Sequence, residues 1–380
     1  MIMVTLIQDA VSSSKPVRST SARRRKICHV SMTLDTGGLE RLLVEFGKRY
    51  DRDTFELSFV ALDRLGPPAE ELRNLGFEVL SLDIAQSSRA RAVATLRRFL
   101  HERHVEIVHT HNTYAHFYGT IAARLAGCRH ILNTQHGRGC GAGWRDHWQF
   151  RIANIVTDKV IGVSEDATRL CQLQDRFAAS RMTTIWNGID VDRFAYRGPT
   201  DAPTAISVSR LSSVKDLPTL LRAVAIVVKR YPEFRLRIVG DGPERPHLET
   251  LATELGLTEH VEFLGERADV AELLAKAAFF VSSSSTEGIS LTILEAMACG
   301  LPVVTTRVGG NPEIVDEHRT GLLVSPGAPE ELAAAIEEML QDRAQWPVYG
   351  ELGRQRVEQN FNVRGMVAQY EALYRDALKI

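Results

Sequence analysis

Strand-like apolar runs alternate with helix-like segments along the chain from residue 26 onward. The alternation stops at residues 197–203, where two prolines and one glycine occur within seven residues, and it begins again at residue 204. Strands that are regularly separated by helices form a parallel sheet with helices on both faces. A chain of 380 residues is long enough for two such units. The sequence therefore predicts an α/β fold with two halves of similar size and a ligand-binding cleft between them.

Composition predicts where the two domains begin and end. Residues 1–25 contain the polar runs S-S-S-K-P and R-S-T-S-A-R-R-R, and such a basic stretch buries too little apolar surface to order itself, so we expect a flexible tail. The first domain is predicted at 26–196, the second at 204–360, and a last helical segment at 361–380. The basic cluster can contact anionic lipid, although a solubilising lead-in to the first strand is the simpler interpretation.

The totals exclude several functional classes. A net charge of −1 argues against a nucleic-acid-binding protein, and no apolar run is long enough to span a membrane. The apolar start is followed at once by Gln8 and Asp9, which disfavours a secretory signal. The five cysteines are scattered and never in C-x-x-C spacing, as is typical of reduced packing residues in a cytosolic protein. Cys140, in a glycine-rich loop, is the one that we expect to be accessible.

The densest signal lies at residues 281–304, which read as strand, Ser/Thr-rich loop, short helix and strand. Ser290 is a plausible N-cap of that helix and Gly300 a C-terminal glycine. Glu287 lies in the loop and Glu295 about one turn inside the helix, eight residues further on. Loop amides and the positive end of a helix dipole suit an anion. Carboxylates beside an anion site suit a ligand with both phosphates and hydroxyls, such as a nucleotide sugar.

Other candidates follow other strands of the predicted sheets. Gly37 and Gly38 end the first strand and let backbone approach a ligand, but they do not form the G-x-G-x-x-G fingerprint, so a nicotinamide cofactor is disfavoured. Arg210 and Lys215 can clamp a diphosphate, unless they are ordinary surface charges. Gly240 repeats the pattern of glycine at a strand end, with a structural role as plausible as a functional one.

Histidines and aspartates offer further candidates. His136 follows a strand and precedes a glycine-rich stretch, which suits a cleft residue that reaches a sugar hydroxyl. His109 and His111 are spaced i, i+2, but no nearby cysteine or carboxylate completes a metal site, so none is predicted. Of the two D-x-D triplets, residues 51–53 are interpreted as a turn and residues 190–192 as a turn on the cleft wall.

Together these segments resemble a known family. The run E-G-I-S-L-T-I-L-E-A-M-A-C-G-L-P-V-V resembles the E-x7-E signature of retaining glycosyltransferases of family 4, which have the two-domain GT-B fold. D-T-G-G-L-E-R, H-T-H, Q-H-G, W-N-G-I-D-V-D-R-F, S-R-L-x4-K-D, G-D-G-P, G-G-N-P-E-I-V and T-G-L-L-V-S-P-G agree in order. The resemblance covers residue 26 to the C-terminus. It implies two Rossmann-like domains facing across a cleft, with residues 361–380 crossing back to the first domain.

The resemblance also implies roles for individual residues. Glu287 would face the hydroxyls of the donor sugar, Arg210 and Lys215 would neutralise the departing diphosphate, and His136 would line the sugar pocket. Glu295 would bind the ribose hydroxyls. The full set of predicted substrate-binding residues is Gly37, Gly38, Gly288, Ile289, Ser290, Leu291, Glu295, Asn187 and Gly240.

The implied reaction needs no cofactor and no metal. The departing diphosphate would accept the proton of the acceptor, so the task of the enzyme is positioning and stabilisation of charge. The expected partners are a UDP- or GDP-linked sugar and a glycan or lipid-linked acceptor, with no nucleic acid. The expected location is the cytoplasm, with peripheral contact at the inner membrane face allowed.

Two departures from the family's pattern stay open, and so do two rival functions, another GT-B enzyme and a non-catalytic binding protein. Ile289 and Ser290 stand where many members have Phe-Gly, and Gly137 stands where an acidic residue often follows the cleft histidine. A phosphorylase would need a pyridoxal phosphate lysine and a far longer chain, and an epimerase should lack the combination of two cations and two carboxylates. A non-catalytic nucleotide-sugar-binding protein is argued against only by the intact charged positions.

Overall fold

The computed structural model describes residues 23–137, 141 and 143–380. Seven parallel strands form the sheet of the first domain, in the order β3-β2-β1-β4-β5-β6-β7. The strands are β1 (Arg25–Ser31), β2 (Phe55–Ala61), β3 (Glu78–Ser81), β4 (Ile107–His111), β5 (His130–Gln135), β6 (Lys159–Gly162) and β7 (Met182–Thr184). The helices are α1 (Gly38–Arg49), α2 (Pro67–Asn74), α3 (Arg89–Glu102), α4 (Asn112–Ala126), α5 (Trp144–Asn154) and α6 (Glu165–Gln174).

Six parallel strands form the sheet of the second domain, in the order β10-β9-β8-β11-β12-β13. The strands are β8 (Thr204–Val208), β9 (Arg235–Val239), β10 (Val261–Gly265), β11 (Phe279–Ser282), β12 (Val303–Thr306) and β13 (Gly321–Val324). The helices are α7 (Leu217–Val227), α8 (Arg245–Glu254), α9 (Val270–Leu274), α10 (Leu291–Ala298), α11 (Asn311–Ile314), α12 (Pro329–Gln341) and α13 (Trp346–Asn360). The last helix of the chain is α14 (Val363–Leu378). Both sheets reverse their strand order beside their first strand, the arrangement of a Rossmann-like domain. The predicted fold class is confirmed.

The strands read as continuous apolar runs because helices cover both faces of each sheet. In β1, Ile27 belongs to the core shared with α1 and α2, whereas Cys28 and Val30 belong to the core shared with α3 and α4. The predicted packing role of the cysteines is confirmed for Cys28, Cys128, Cys171 and Cys299, which are free and buried. Cys140 lies outside the described residues.

Helix α14 returns to the first domain, as the resemblance implied. Its apolar stripe joins the core formed by α1, α2 and the first sheet. The members of that stripe are Val363, Met366, Val367, Tyr370 and Tyr374, which are all buried. Glu371 also accepts a hydrogen bond from the amide of Asp51 at 2.6 Å, so polar contacts hold the same face.

Two segments of the chain connect the domains, one leaving the first domain and one returning to it, and they lie side by side. Ile189 N–H donates to Phe361 O and Val363 N–H donates to Ile189 O, both at 2.9 Å. The predicted linker at residues 197–203 comes later and is attached to the second domain, because Arg197 N–H donates to Cys299 O at 3.1 Å. The chain therefore crosses between the domains before residues 197–203, the proline-rich stretch at which the sequence analysis placed the domain boundary.

The basic cluster at the end of the predicted tail is partly built into the sheet, so the tail prediction is wrong for its last residues. Strand β1 begins at Arg25, and Arg25 and Arg24 form ion pairs with Glu106 and Glu56 at 3.3 Å. These partners support the interpretation of the cluster as a lead-in to the first strand. No helix among the described residues is long and apolar enough to cross a membrane.

Candidate active site

Loops from the two domains meet at the start of α10. A Cβ atom placed on Gly38 would lie 3.5 Å from the Leu291 side chain. A Cβ atom placed on Gly288 would overlap the carbonyl oxygen of His136, so only glycine permits this approach of the two loops. The structure thus brings together four of the residues that sequence reasoning assigned to opposite walls of the cleft.

The central charged contact joins Lys215 and Glu287. Lys215 Nζ lies 2.6 Å from Glu287 Oε1, and Ser284 Oγ donates to the same oxygen at 2.7 Å. Ser283 Oγ donates to the carbonyl oxygen of Lys215 at 3.0 Å, which fixes the short turn that carries the lysine. The two predicted catalytic side chains are therefore paired, and the lysine is positioned by the same loop as the glutamate.

Arg210 lies at the exposed end of β8 and has no carboxylate partner among residues 23–137, 141 and 143–380. Its loop is held by Gly240, which has a φ of +127° and where a Cβ atom would overlap the carbonyl oxygen of Ser209. Leu211 N–H donates to Asp241 O at 2.9 Å. Gly240 is thus required by packing, and its predicted contact with substrate stays a prediction.

The N-terminus of α10 has no side-chain cap. Ser290 occupies the N-cap position, but its side chain accepts no capping hydrogen bond, so the predicted cap is wrong in that respect. Its hydroxyl instead lies 3.3 Å from Thr292 Oγ1. Within the described part of the chain, the amides of Ile289 and Leu291 donate no hydrogen bond, which leaves donors for an anion. At the other end Gly300 has a φ of +85°, which confirms the C-terminal glycine.

Glu295 is paired with a residue that sequence reasoning missed. Its side chain is 2% exposed, and Arg41 Nη2 of the first domain lies 2.7 Å from its Oε1. Burial raises the pKa of Glu295, and the charge of Arg41 opposes that rise. Both line a cavity of about 260 Å³ between α1, α10 and the crossing segment. Contact between Glu295 and ribose stays a prediction, because a ribose would have to share the carboxylate with Arg41.

His136 ends a chain of three histidine rings, in which His29 and His111 are buried and His136 is half-buried. His136 Nε2 lies 3.0 Å from His111 Nδ1, and His111 Nε2 lies 3.1 Å from His29 Nδ1. Burial lowers the pKa of His136 and of His29 to about 3, so the rings are neutral at pH 7. A neutral ring carries one proton, so both contacts are hydrogen bonds only if all three rings adopt the same tautomer. His136 therefore meets a ligand as a neutral group.

His109 is the fourth histidine of this cluster. Its hydrogen bonds decide whether the cluster is described as a metal site or as a hydrogen-bonded network. His29, His109 and His111 lie close enough together to hold a metal ion. Both ring nitrogens of His109 already have hydroxyl partners, however, with Tyr374 at 2.6 Å and Thr134 at 2.8 Å. The group is best described as hydrogen-bonded imidazoles. Nothing in the sequence indicated that His29 lies beside His109 and His111. The expectation that no metal is bound stays a prediction.

Asn187 belongs to the same environment as the histidines. It is buried, and it lines a small cavity together with His29, His109, His111 and His136. Its Oδ1 has no hydrogen-bond partner among the described residues. A contact between Asn187 and substrate stays a prediction.

The first D-x-D triplet forms a turn, and the second overlaps a short 3-10 helix at Val191–Arg193. Asp51 Oδ1 accepts the amide of Asp53 at 3.0 Å, as expected for the first triplet. In the second, Asp190 pairs with Arg49 at 2.5 Å and Asp192 pairs with Arg364 at 3.2 Å. The two carboxylates of the second triplet are thus engaged by arginines from different helices.

Glu313 is a second residue that sequence reasoning missed. Its carboxylate accepts hydrogen bonds from the amides of Glu165 and Asp166 at the start of α6, at 2.8 and 3.0 Å. It also accepts from Trp186 Nε1 at 2.8 Å. A residue of the second domain thereby caps a helix of the first, which holds the two cleft walls together.

Comparisons with known proteins agree with this geometry. Residues 36–193 match the family model described as Glycosyltransferase Family 4, and residues 188–357 match that of Glycosyl transferases group 1. The chain is 31% identical over 274 residues to a GDP-mannose-dependent alpha-(1-6)-phosphatidylinositol monomannoside mannosyltransferase of Mycolicibacterium smegmatis, covering 64% of this chain and 69% of that protein. This chain belongs to glycosyltransferase family 4. The two matched segments of the family 4 protein meet at the crossing between its domains.

Two other comparisons extend the likeness over more of the family 4 chain. It is 29% identical over 321 residues to an N-acetyl-alpha-D-glucosaminyl L-malate synthase of Bacillus anthracis, covering 80% of this chain and 81% of that protein. It superposes on the crystal structure of Anabaena HepE in complex with UDP-glucose with a TM-score of 0.80 and 25% identity, over 92% of this chain and 99% of that one. The predicted GT-B fold is thereby confirmed.

Proposed function

We propose that this glycosyltransferase moves a sugar from a nucleotide diphosphate sugar to a hydroxyl acceptor with retention of configuration. The Lys215–Glu287 pair at the open N-terminus of α10 carries the proposal. It sets a cation, a hydroxyl-binding carboxylate and free amides beside one another, which matches the phosphate and sugar parts of one donor. The UDP-glucose in the HepE structure and the GDP-mannose dependence of the mycobacterial relative support this donor class.

The proposed mechanism follows from how the carboxylates are engaged. Glu287 is paired with Lys215 and Ser284, and Glu295 is paired with Arg41. We propose that both carboxylates position groups of the donor and that neither attacks the anomeric carbon. The bond from the anomeric carbon to the phosphate oxygen breaks, the bond to the acceptor oxygen forms on the same face, and the acceptor proton passes to the departing phosphate. Lys215, Arg210 and the α10 amides stabilise the charge that develops.

One of the relatives supports a lipid-linked acceptor. The mycobacterial relative is named for phosphatidylinositol monomannoside, whereas the Bacillus relative is named for L-malate. We propose a cell-surface glycan or a lipid-linked acceptor for this protein. A transfer assay also separates an enzyme from a non-catalytic nucleotide-sugar-binding protein, because the latter binds donor without consuming it.

Chelation is the first test of the mechanism. Activity is expected to survive EDTA, because Lys215, Arg210 and the α10 amides supply the charge stabilisation that a divalent ion would otherwise give. Turnover is measured with and without EDTA and after addition of Mg²⁺. A strict Mg²⁺ requirement would contradict the proposal and would return attention to Asp190 and Asp192.

Donor binding is tested by thermal unfolding. A donor that binds only the folded state raises the melting temperature, and about 2.7 kcal/mol of stabilisation is expected at a concentration near 100 times Kd. The panel contains UDP, GDP, ADP and their sugars, with the Lys215→Ala variant as control. A shift with one nucleotide that weakens in the variant is expected. No shift with any of them would remove the basis of the proposed function.

A further inference from the structure

Glu313 connects the two domains through a single carboxylate. Its Oε2 accepts hydrogen bonds from the amide of Glu165 and from Trp186 Nε1, both at 2.8 Å, and its Oε1 accepts one from the amide of Asp166 at 3.0 Å. The two amides belong to the first turn of α6, where backbone N–H groups have no intrahelical partner. All three donors lie in the first domain, whereas Glu313 lies in α11 of the second. The carboxylate is therefore held by groups of the opposite domain.

Helix α11 also supports the loop that carries Glu287. We define the Glu287 loop as residues 287–289. Gly310, the N-cap residue of α11, donates its N–H to Gly288 O at 2.9 Å. Gly309 has a φ of +53°, and a Cβ atom at this position would overlap the carbonyl oxygen of Glu287. The start of α11 thus lies directly against the backbone of the Glu287 loop, so we expect a displacement of α11 to move the loop with it.

The segment that leads into α6 contacts these elements one after another. A Cβ atom placed on Gly288 would lie 3.1 Å from Val163 Cγ2, and one placed on Gly310 would lie 3.0 Å from Ser164 Cβ. The next two residues of the segment supply the amides that donate to Glu313. This four-residue segment of the first domain therefore packs, in order, against the Glu287 loop, the start of α11 and the Glu313 carboxylate.

We propose that Glu313 is a positioning residue for sugar transfer, which holds the Glu287 loop against His136 of the first domain. The proposal rests on the proposed function, in that both groups face the same donor sugar. The loop and the histidine already lie close together, because a Cβ atom on Gly288 would overlap His136 O. Close packing limits the distance between two surfaces but leaves sliding possible. The three hydrogen bonds of Glu313 are directional, so they fix the register of this contact.

Loss of Glu313 should lower turnover more than donor affinity. The Lys215–Glu287 pair and the α10 amides lie within the second domain, so a donor can bind them without α6. Such a donor needs Glu313 only for its alignment with the groups of the first domain. Misalignment slows the chemical step itself, and a misplacement of about 1 Å can cost about 100-fold in rate.

Steady-state kinetics of Glu313→Ala test the proposal. We expect kcat at saturating donor and acceptor to fall by about 10- to 100-fold, while the donor Kd from equilibrium titration changes by less than about twofold. Glu313→Gln keeps one acceptor oxygen and should lose less of kcat. Glu317→Gln is the matched control, because Glu317 follows α11 in the same domain and pairs with the exposed Arg307 at 2.7 Å. Its kcat should equal that of the wild type.

Hydrogen exchange measures the contact without any donor. The amides of Glu165 and Asp166 should exchange faster in Glu313→Ala than in the wild type, because they lose their acceptor. In Glu317→Gln they should exchange at the wild-type rate. Melting temperatures of all variants are compared, and if Glu313→Ala does not fold, the same kinetic and exchange measurements on Glu313→Gln decide the question.

Three results would overturn this proposal and leave the proposed function standing. A wild-type kcat in Glu313→Ala with faster exchange would make Glu313 a helix cap without a role in transfer. Unchanged exchange would mean that the contact does not form in solution. A loss of donor affinity as large as the loss of kcat would place the effect in donor binding instead of alignment. Wild-type protein that transfers no sugar from any donor would instead overturn the proposed function, and this inference with it.

Discussion

Replacing Lys215 by alanine is expected to lower turnover by about 100-fold or more, the scale for losing one preorganised donor at a site of developing charge. In the structure Lys215 Nζ lies 2.6 Å from Glu287 Oε1, and among the described residues Ser284 is the one further side-chain partner of that carboxylate. The variant loses the cation that neutralises the departing diphosphate. It also leaves a carboxylate of the same sign beside that diphosphate, so both effects act in the same direction.

Steady-state kinetics with the donor identified by thermal shift measure this effect. Lys229→Ala is the matched control, because Lys229 is exposed near the end of α7 in the same domain. The double variant Lys215→Ala/Glu287→Gln should lose less activity than the two single losses combined, because the carboxylate no longer repels the leaving group. Near-normal turnover of Lys215→Ala would contradict the assignment of the site.

The fold was predictable because its signals are local. The last helical segment, predicted at residues 361–380, is helix α14, because its apolar residues form a regular stripe. Strand β13 and helix α11 give no such signal, because each has four residues and neither shows a period over so short a length. The domain crossing was misplaced because proline and glycine mark irregular chain, not the point at which the chain leaves a domain.

The candidate site was predictable where it depends on one segment and not where it depends on contacts between segments. Glu287, Gly288 and the open start of α10 follow from a single run of sequence. The partners Arg41 and Glu313 did not, because Arg41 lies 254 residues from Glu295, and Glu313 lies 148 residues from Glu165. Only the closure of two folded domains brings such pairs together, and no pattern in the sequence encodes that distance.

These contacts change the interpretation of the E-x7-E signature. Both carboxylates are engaged by cations, but from different domains, since Lys215 belongs to the second domain and Arg41 to the first. Glu287 is thus held within the second domain. Glu295 instead links that domain to α1 of the first domain, so its charge is tied to the contact between the two domains.

Removing Arg41 is therefore expected to destabilise the protein in a pH-dependent way. Burial raises the folded-state pKa of Glu295 above its ordinary value of 4.5, so the folded state binds the extra proton more tightly than the unfolded state. Ionised Glu295 then costs stability as pH rises through its folded pKa, and Arg41 offsets that cost. In Arg41→Met the offset is lost, and the free energy of unfolding at pH ~8 should fall by about 1–3 kcal/mol, because one carboxylate is left buried and unpaired.

The loss should shrink towards pH ~5, because protonation of Glu295 removes the buried charge in the variant and makes Arg41 unnecessary. Urea unfolding of both proteins across that range measures the difference. In the Glu295→Gln background the same Arg41→Met change should cost little at either pH, since glutamine carries no charge to leave unpaired. An equal loss at both ends of the range would show that Arg41 contributes by packing alone. The pair would then have no electrostatic role in holding the cleft closed.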